Sequence, residues 1–115
     1  MTMMNTMKFE SWGTTYELQF KKGEYQADKT LANQIMGKAE DEDWYEPFAS
    51  LTVCLCKELP KNHAFFDSNN CPRTIIQNLI DEGVATMTTI SASSGHCTYP
   101  LIKFSEEWLE SLEKI

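Results

Sequence analysis

Polar and apolar residues alternate most cleanly over Thr14–Phe20, where Tyr16, Leu18 and Phe20 face one way and Thr15, Glu17 and Gln19 the other. A period of two is the signature of a strand with one buried face. Met7–Trp12 carries Phe9 in an extended setting, so with Gly13 between them the two segments predict a hairpin. Lys21-Lys22-Gly23 reads as a second turn, leading into Glu24–Ala27 and then a strand over Thr30–Met36. Gly37–Glu46 reads as an acidic loop. Pro47–Cys56 is the strongest strand pattern of the chain, with Ala49, Leu51, Val53 and Leu55 alternating with Phe48, Ser50, Thr52, Cys54 and Cys56. Both of its faces are nearly apolar, which predicts a central position in the sheet.

Beyond Pro60, His63–Phe66 is short and extended, and Asp67-Ser68-Asn69-Asn70-Cys71-Pro72 is a polar turn. Pro72 suits the first turn of a helix, with Asn70 or Cys71 as its cap. Ile75, Ile76, Leu79 and Ile80 share a face and Gly83 supplies a stop, so the helix spans about 72–82. Thr86–Ile90 reads as a strand, Ser91–His96 as a small polar loop, and Tyr99–Phe104 as extended. Ser105 caps a closing helix over about 105–115, stapled by Phe104 and Leu109, with Trp108, Leu109, Leu112 and Ile115 as its buried stripe. Strands first and helices after define an α+β chain with a mainly antiparallel sheet of about five or six strands and two helices. At 115 residues it fits one domain with a substantial core. Residues 1–6 lack periodicity and are expected to be a disordered extension, since Met7 is an equally good start; residues 7–115 form the domain.

Charge adds what the pattern does not show. Residues 1–37 balance four lysines against four acids, and 59–104 balance three against three. Residues 38–58 hold six acids (Glu40, Asp41, Glu42, Asp43, Glu46, Glu58) against Lys38 and Lys57, and 105–115 hold Glu106, Glu107, Glu110 and Glu113 against Lys114. The whole net charge of −7 therefore sits in two short zones. Such a chain repels nucleic acid and is drawn to basic surfaces, including those that bind nucleic acid. With Arg73 as the one arginine and no basic stripe, direct nucleic-acid binding is not expected. No apolar run approaches the ~20 residues of a membrane span, and no basic-then-apolar leader opens the chain, so a cytoplasmic protein with reduced thiols is expected.

Other chemistry is less well supported. Cys54-x-Cys56, Cys71, Cys97, His63 and His96 would give enough ligands for zinc, but no pair has the spacing of a zinc knuckle, and cysteine is commonly buried. Four consecutive acids lack the alternating spacing of a calcium loop. No metal and no cofactor is expected. A thiol nucleophile at Cys71 or Cys97, activated by His63 with Asp67 or by His96, is a third-ranked reading, because adjacent strand residues point to opposite faces. Ser91–Gly95 precedes a strand rather than a helix and lacks phosphate-loop spacing, so it reads as a turn. The expected partner surface is therefore Glu40, Asp41, Glu42, Asp43, Trp44 and Tyr45, joined by Glu106, Glu107, Glu110 and Glu113. Charge would steer the encounter and the aromatics would anchor it. The bland alternative is a solvated loop whose aromatics tuck into the core edge.

The start MKFESWGTTYEL, the central EPFASLTVCL, the turn DSNNCP and the late SGHCTYPLIKF, taken together, resemble a family of small proteins of unknown function. That family is carried on conjugative elements and plasmids of Gram-positive Firmicutes. The resemblance runs from Met7 to near the C-terminus and implies no catalytic residues. It implies a mobile-element accessory protein, some proteins of this kind acting as anti-CRISPRs against type II RNA-guided nucleases. The expectation is thus a non-enzymatic acidic inhibitor that contacts a basic surface of an RNA-guided nuclease or its guide complex. The alternative is an accessory interaction module of the element, homodimeric through an exposed sheet edge.

Overall fold

Tyr16, Leu18 and Phe20 become the inner face of a strand longer than their pattern announced. The structure is a computed structural model and describes residues 6–11, 13–26, 30–55 and 59–114. β1 (Thr6–Ser11) and β2 (Thr14–Glu24) form the expected hairpin, closed where Gly13 takes a φ of +79° that a side chain would disfavour. Lys21-Lys22-Gly23 is not a turn. It continues β2, and the chain reverses further on, where the Tyr25 N–H donates to the Thr30 carbonyl. β3 (Leu31–Ala39) absorbs Gly37, Lys38 and Ala39 from the expected loop, and β4 (Glu46–Ser50), which takes its last residue, returns antiparallel to it. Gly37 is in the strand for want of space: a Cβ there would sit 3.0 Å from the Phe48 ring. Thr6 pairs with Gln19, so the expected extension loses its last residue to the sheet, and residues 1–5 lie outside those described.

Pro47–Cys56 is not one central strand. It turns a corner at Leu51, which is wholly buried: the Leu51 N–H donates to the Asn33 carbonyl in sheet A, and its own carbonyl accepts from the N–H of Asp67, just past the end of the strand His63–Phe66. β4 is an edge of sheet A, ordered β1-β2-β3-β4, where Pro47 is tolerated; β5 (Thr52–Val53) opens sheet B. Both faces of the segment are apolar because it serves two sheets. Thr52 completes the seam, its hydroxyl accepting the Asn33 N–H at 3.0 Å and bonding the Tyr25 hydroxyl at 2.9 Å.

Sheet B runs β5, β6 (His63–Phe66), β8 (Cys97–Phe104), β7 (Ala85–Ser94), all antiparallel. The polar Ser91–Ser94 belongs to β7 rather than to a loop, because Ser91, Ala92, Ser93 and Ser94 find register partners in Pro100, Tyr99, Thr98 and Cys97. Between β6 and β7 lies helix α1 (Arg73–Asp81), with Ile75, Ile76 and Leu79 buried. Its N-cap is Pro72, with no side-chain capping bond, so neither Asn70 nor Cys71 plays that role. Asp67 organises the turn instead, accepting from the Asn70 N–H and amide. Gly83 ends the helix at φ +79° as expected, with Gly83 N–H to Ile80 and Val84 N–H to Leu79.

Helix α2 is shorter than its stripe implied. Ser105 caps it by accepting the Trp108 N–H, but α2 covers only Glu106–Ser111. The chain then extends, and β9 (Glu113–Lys114) adds to β2 in parallel beside Lys21 and Lys22. Ile115 lies outside the described residues. One core joins both sheets and both helices: Leu18, Phe20 and Ile35 meet Phe66, Ile102 and Phe104 with Ile75, Leu79 and Trp108. A smaller cluster of Phe65, Tyr99 and Leu101 forms a second apolar group on sheet B. The architecture is a single α+β domain, with the expected antiparallel sheet divided in two.

Candidate functional site

The loop Glu40–Tyr45 joins two paired strands, and its base is fixed by main-chain bonds from Glu40 N–H to Thr15 and from Glu42 N–H to Ala39. A short connection between paired strands must project, so Glu40, Asp41, Asp43 and Trp44 are exposed, while Glu42 and Tyr45 are half-buried. Trp44 is 60% exposed and donates its indole N–H to Glu46 Oε1 at 3.0 Å, which holds the ring at the rim of the tip. Tyr45 folds back: its hydroxyl donates to Glu17, and Lys38 Nζ lies 5.5 Å from the centre of its ring. Lys38 also pairs with Glu17 at 3.8 Å. The bond to Glu17 is the chief cause that pushes the Tyr45 phenol up to about 12, with burial and the Glu17 charge adding to it. Beneath this knot, Phe48 packs on Phe9 and Tyr16 at centroid distances of 5.8 and 5.6 Å. The tip is therefore an exposed acidic turn on a rigid base. Among the described residues, no lysine or arginine is within ion-pair distance of Glu40, Asp41, Glu42 or Asp43.

The C-terminal acids have a different setting. Glu113 pairs with Lys21 at 3.7 Å, and Glu106 with Lys61 at 2.7 Å. That contact lowers the Glu106 pKa and raises that of Lys61, each chiefly through the hydrogen bond between them. Glu107 and Glu110 are exposed. The fold does not bring the two zones together. Glu40 hangs from Thr15 near the start of β2, and Glu113 lies beside Lys21 near its end. Six residues of strand separate those anchors, roughly 20 Å.

The thiol and metal readings do not converge on one place. His63 opens β6 and Asp67 follows its end, about 13 Å of extended chain apart, and His63 Nδ1 lies 2.8 Å from the Lys61 carbonyl. Cys71 is buried, and burial first, then the nearby Asp67 charge, pushes its thiol up to about 12. A nucleophilic thiol needs the opposite shift. His96 is exposed at the β7–β8 turn. Cys56 lies outside the described residues, and among those described no three His, Cys, Asp or Glu side chains are grouped to hold a metal ion. No helix among them is long and apolar enough to cross a membrane.

Sequence reasoning missed one surface. β7 is an edge strand of sheet B and carries Met87 and Ile90 at 50% and 57% exposure. The available signal was twenty consecutive residues, Gly83–Ile102, without Asp, Glu, Lys or Arg.

The fold is a mainly antiparallel α+β domain that carries an acidic tip between β3 and β4. The chain belongs to the DUF4313 family, a domain of unknown function, which it matches over residues 18–114. No curated protein and no solved structure matches it.

Proposed function

We propose that this protein is a non-enzymatic inhibitor that docks its acidic hairpin tip on a basic, nucleic-acid-binding surface of another protein. The concrete partner is a type II RNA-guided nuclease or its guide complex, met in the cytoplasm of a cell receiving mobile DNA. The observation that carries this reading is the tip itself: four consecutive acids without an ion pair among the described residues, followed by an exposed tryptophan, on a base tied by Tyr45, Glu17 and Lys38. Charge of this kind accelerates encounter, and a rigid aromatic supplies affinity at low entropic cost. RNA-guided nucleases hold their heteroduplex in strongly basic channels. A duplex carries one charge per ~1.7 Å, so a tip with four acids fits one basic site rather than imitating a long duplex. Because Glu106 and Glu113 are already paired and lie at the far end of β2, the C-terminal acids are secondary in this reading.

The test is cleavage by a guide-loaded type II nuclease titrated with the full chain. The expected result is dose-dependent inhibition, weakened by at least ~100-fold when Glu40, Asp41, Glu42 and Asp43 are replaced together by Gln and Asn. Full-strength inhibition by that variant, or none by the wild type, would count against the reading. The second reading, a self-associating accessory module, is favoured by the uncharged edge of β7.

A further inference from the structure

We propose that the groove between the ends of β2 and β3, the loop before β6 and helix α2 binds one small oxyanion-bearing molecule, a phosphate or a carboxylate, on Lys22 and Lys114. The groove measures about 970 Å³, within the size range of small-molecule sites, and both lysines line it. β9 lies beside β2 in a register that pairs Lys21 with Glu113 and Lys22 with Lys114. On the outer face the pairing is complementary, Lys21 reaching Glu113 at 3.7 Å. On the inner face, where Phe20 and Leu112 enter the core, two like charges stand side by side, an arrangement that lowers stability. Among the described residues neither Lys22 nor Lys114 has an ion-pair partner, in a chain with 17 acids against 10 bases. Two adjacent cations left uncompensated in so acidic a chain are what an oxyanion site requires.

A second observation, independent of charge, falls in the same place. Asn33 is the register partner of Lys22 on β3, so Lys114, Lys22 and Asn33 form a row across three strands on one face. The Asn33 N–H donates to Thr52 and its carbonyl accepts from Leu51, both away from β2. The Lys22–Asn33 pair is therefore the closer, non-hydrogen-bonded kind, with about 4.5 Å between Cα atoms. Asn33 is 1% exposed, and neither its amide nitrogen nor its amide oxygen has a hydrogen-bond partner among the described residues. A buried amide left so is costly, and its NH2 is a donor of the kind an oxyanion accepts from. Leu31, next to Asn33 on that face of β3, lines the groove, so the amide lies one side chain in from its wall. A ligand oxygen between the lysines and Asn33 would accept from all three. The other charges limit the ligand's size. Lys61 is already held by Glu106 at 2.7 Å, and Glu24 and Glu110 border the groove as exposed acids. Those acids repel a polyanion such as nucleic acid, which leaves one oxyanion group at the Lys22–Lys114 floor. The site lies at the other end of β2 from the acidic tip, so anion binding and partner docking can fail independently.

NMR of the isotope-labelled full chain tests this, with inorganic phosphate and citrate titrated separately and each compared with sodium chloride at equal ionic strength. Saturable shifts confined to the groove, including the Asn33 side-chain NH2, are expected with at least one of the two anions. Phosphate alone identifies a phosphate-bearing ligand, citrate alone a carboxylate ligand, and both an oxyanion site that does not discriminate; each supports the proposal. Lys22→Gln and Lys114→Gln should each weaken binding by at least ~10-fold, since each removes a charge-assisted hydrogen bond. Their anion-free unfolding midpoints should stay level or rise, because the repulsion between neighbours is relieved. Asn33→Leu should likewise weaken binding without lowering the midpoint, as it replaces an unpartnered buried amide by an apolar group of similar size. Should Lys22→Gln fail to fold, Lys114→Gln, at an exposed position, decides in the same way. No saturable shift with either anion overturns the proposal. So do shifts that sodium chloride reproduces, or binding undiminished in a folded lysine variant.

Discussion

Each acidic zone of this chain places a tryptophan directly after two acids: Glu42-Asp43-Trp44 in one, Glu106-Glu107-Trp108 in the other. The fold treats them oppositely. Trp108 is fully buried, against Phe20 and Phe104 at centroid distances of 5.6 and 5.8 Å, whereas Trp44 is 60% exposed. The difference lies in what surrounds them. Leu109 on the same helix, Phe104 at the end of β8 and Leu112 just past the helix are buried in one cluster with Trp108, while the neighbours of Trp44 are Asp43 and Tyr45 in a tip between two strands. Acids beside Trp108 are the wet side of a core helix; acids beside Trp44 have no dry side to serve. Similar local sequence thus yields an anchor for the fold in one place and a candidate anchor for a partner in the other.

The comparison is broken most forcefully at Trp108. Replacing it with Ala should destabilise the domain by ~3–5 kcal/mol, read from denaturant unfolding, because a large ring is removed from the centre of the shared core. Next comes the tip. Neutralising Glu40, Asp41, Glu42 and Asp43 together should lower partner affinity by at least ~100-fold at low salt, while the unfolding midpoint stays at or above that of the wild type. Trp44→Ala should cost at least ~1 kcal/mol of binding, measured by calorimetry, with folding stability within ~0.5 kcal/mol of the parent. If Trp44→Ala instead unfolds the protein, the contrast between the two tryptophans is wrong.

Smaller effects sharpen the account. The Tyr45 phenol is raised in the folded state, so its proton is held more tightly there than in the unfolded chain. The Tyr45–Glu17 tether should contribute fully below the ordinary tyrosine value of about 10 and be lost as pH rises through about 12. The difference in phenolate absorbance between wild type and Tyr45→Phe during alkaline titration reads this directly. At the other zone, Glu106→Gln should leave the unfolding midpoint unchanged, because the Lys61 pair it removes is exposed and screened.

Short-range pattern made part of this legible. Period two marked Tyr16, Leu18 and Phe20, Ser105 announced a helix start, and Gly83 announced a stop, since each depends on residues within one turn or hairpin. What stayed hidden depended on distant partners. Lys21 and Lys22 look like a turn until β9, from the end of the chain, pairs beside them. Ser91–Ser94 looks like a loop until Cys97–Pro100 supplies its register. The corner at Leu51 has no local mark, because a segment covered by two sheets and a central strand show the same apolar run. The tip was readable as charge and aromatics. That Glu106 and Glu113 already have lysines was not, as Lys61 and Lys21 are far from them in sequence.

The central claim is that the β3–β4 tip, a free negative turn, is where something positive lands. Its most direct measurement is the affinity for a guide-loaded type II nuclease as a function of salt. Three chains are compared: wild type, one with Glu40–Asp43 neutralised, and one with Glu106, Glu107, Glu110 and Glu113 changed to Gln. The account predicts that wild-type binding weakens steeply with salt, that the tip variant loses both affinity and salt dependence, and that the C-terminal variant keeps most of both. Equal losses in the two variants, or wild-type binding indifferent to salt, would contradict it.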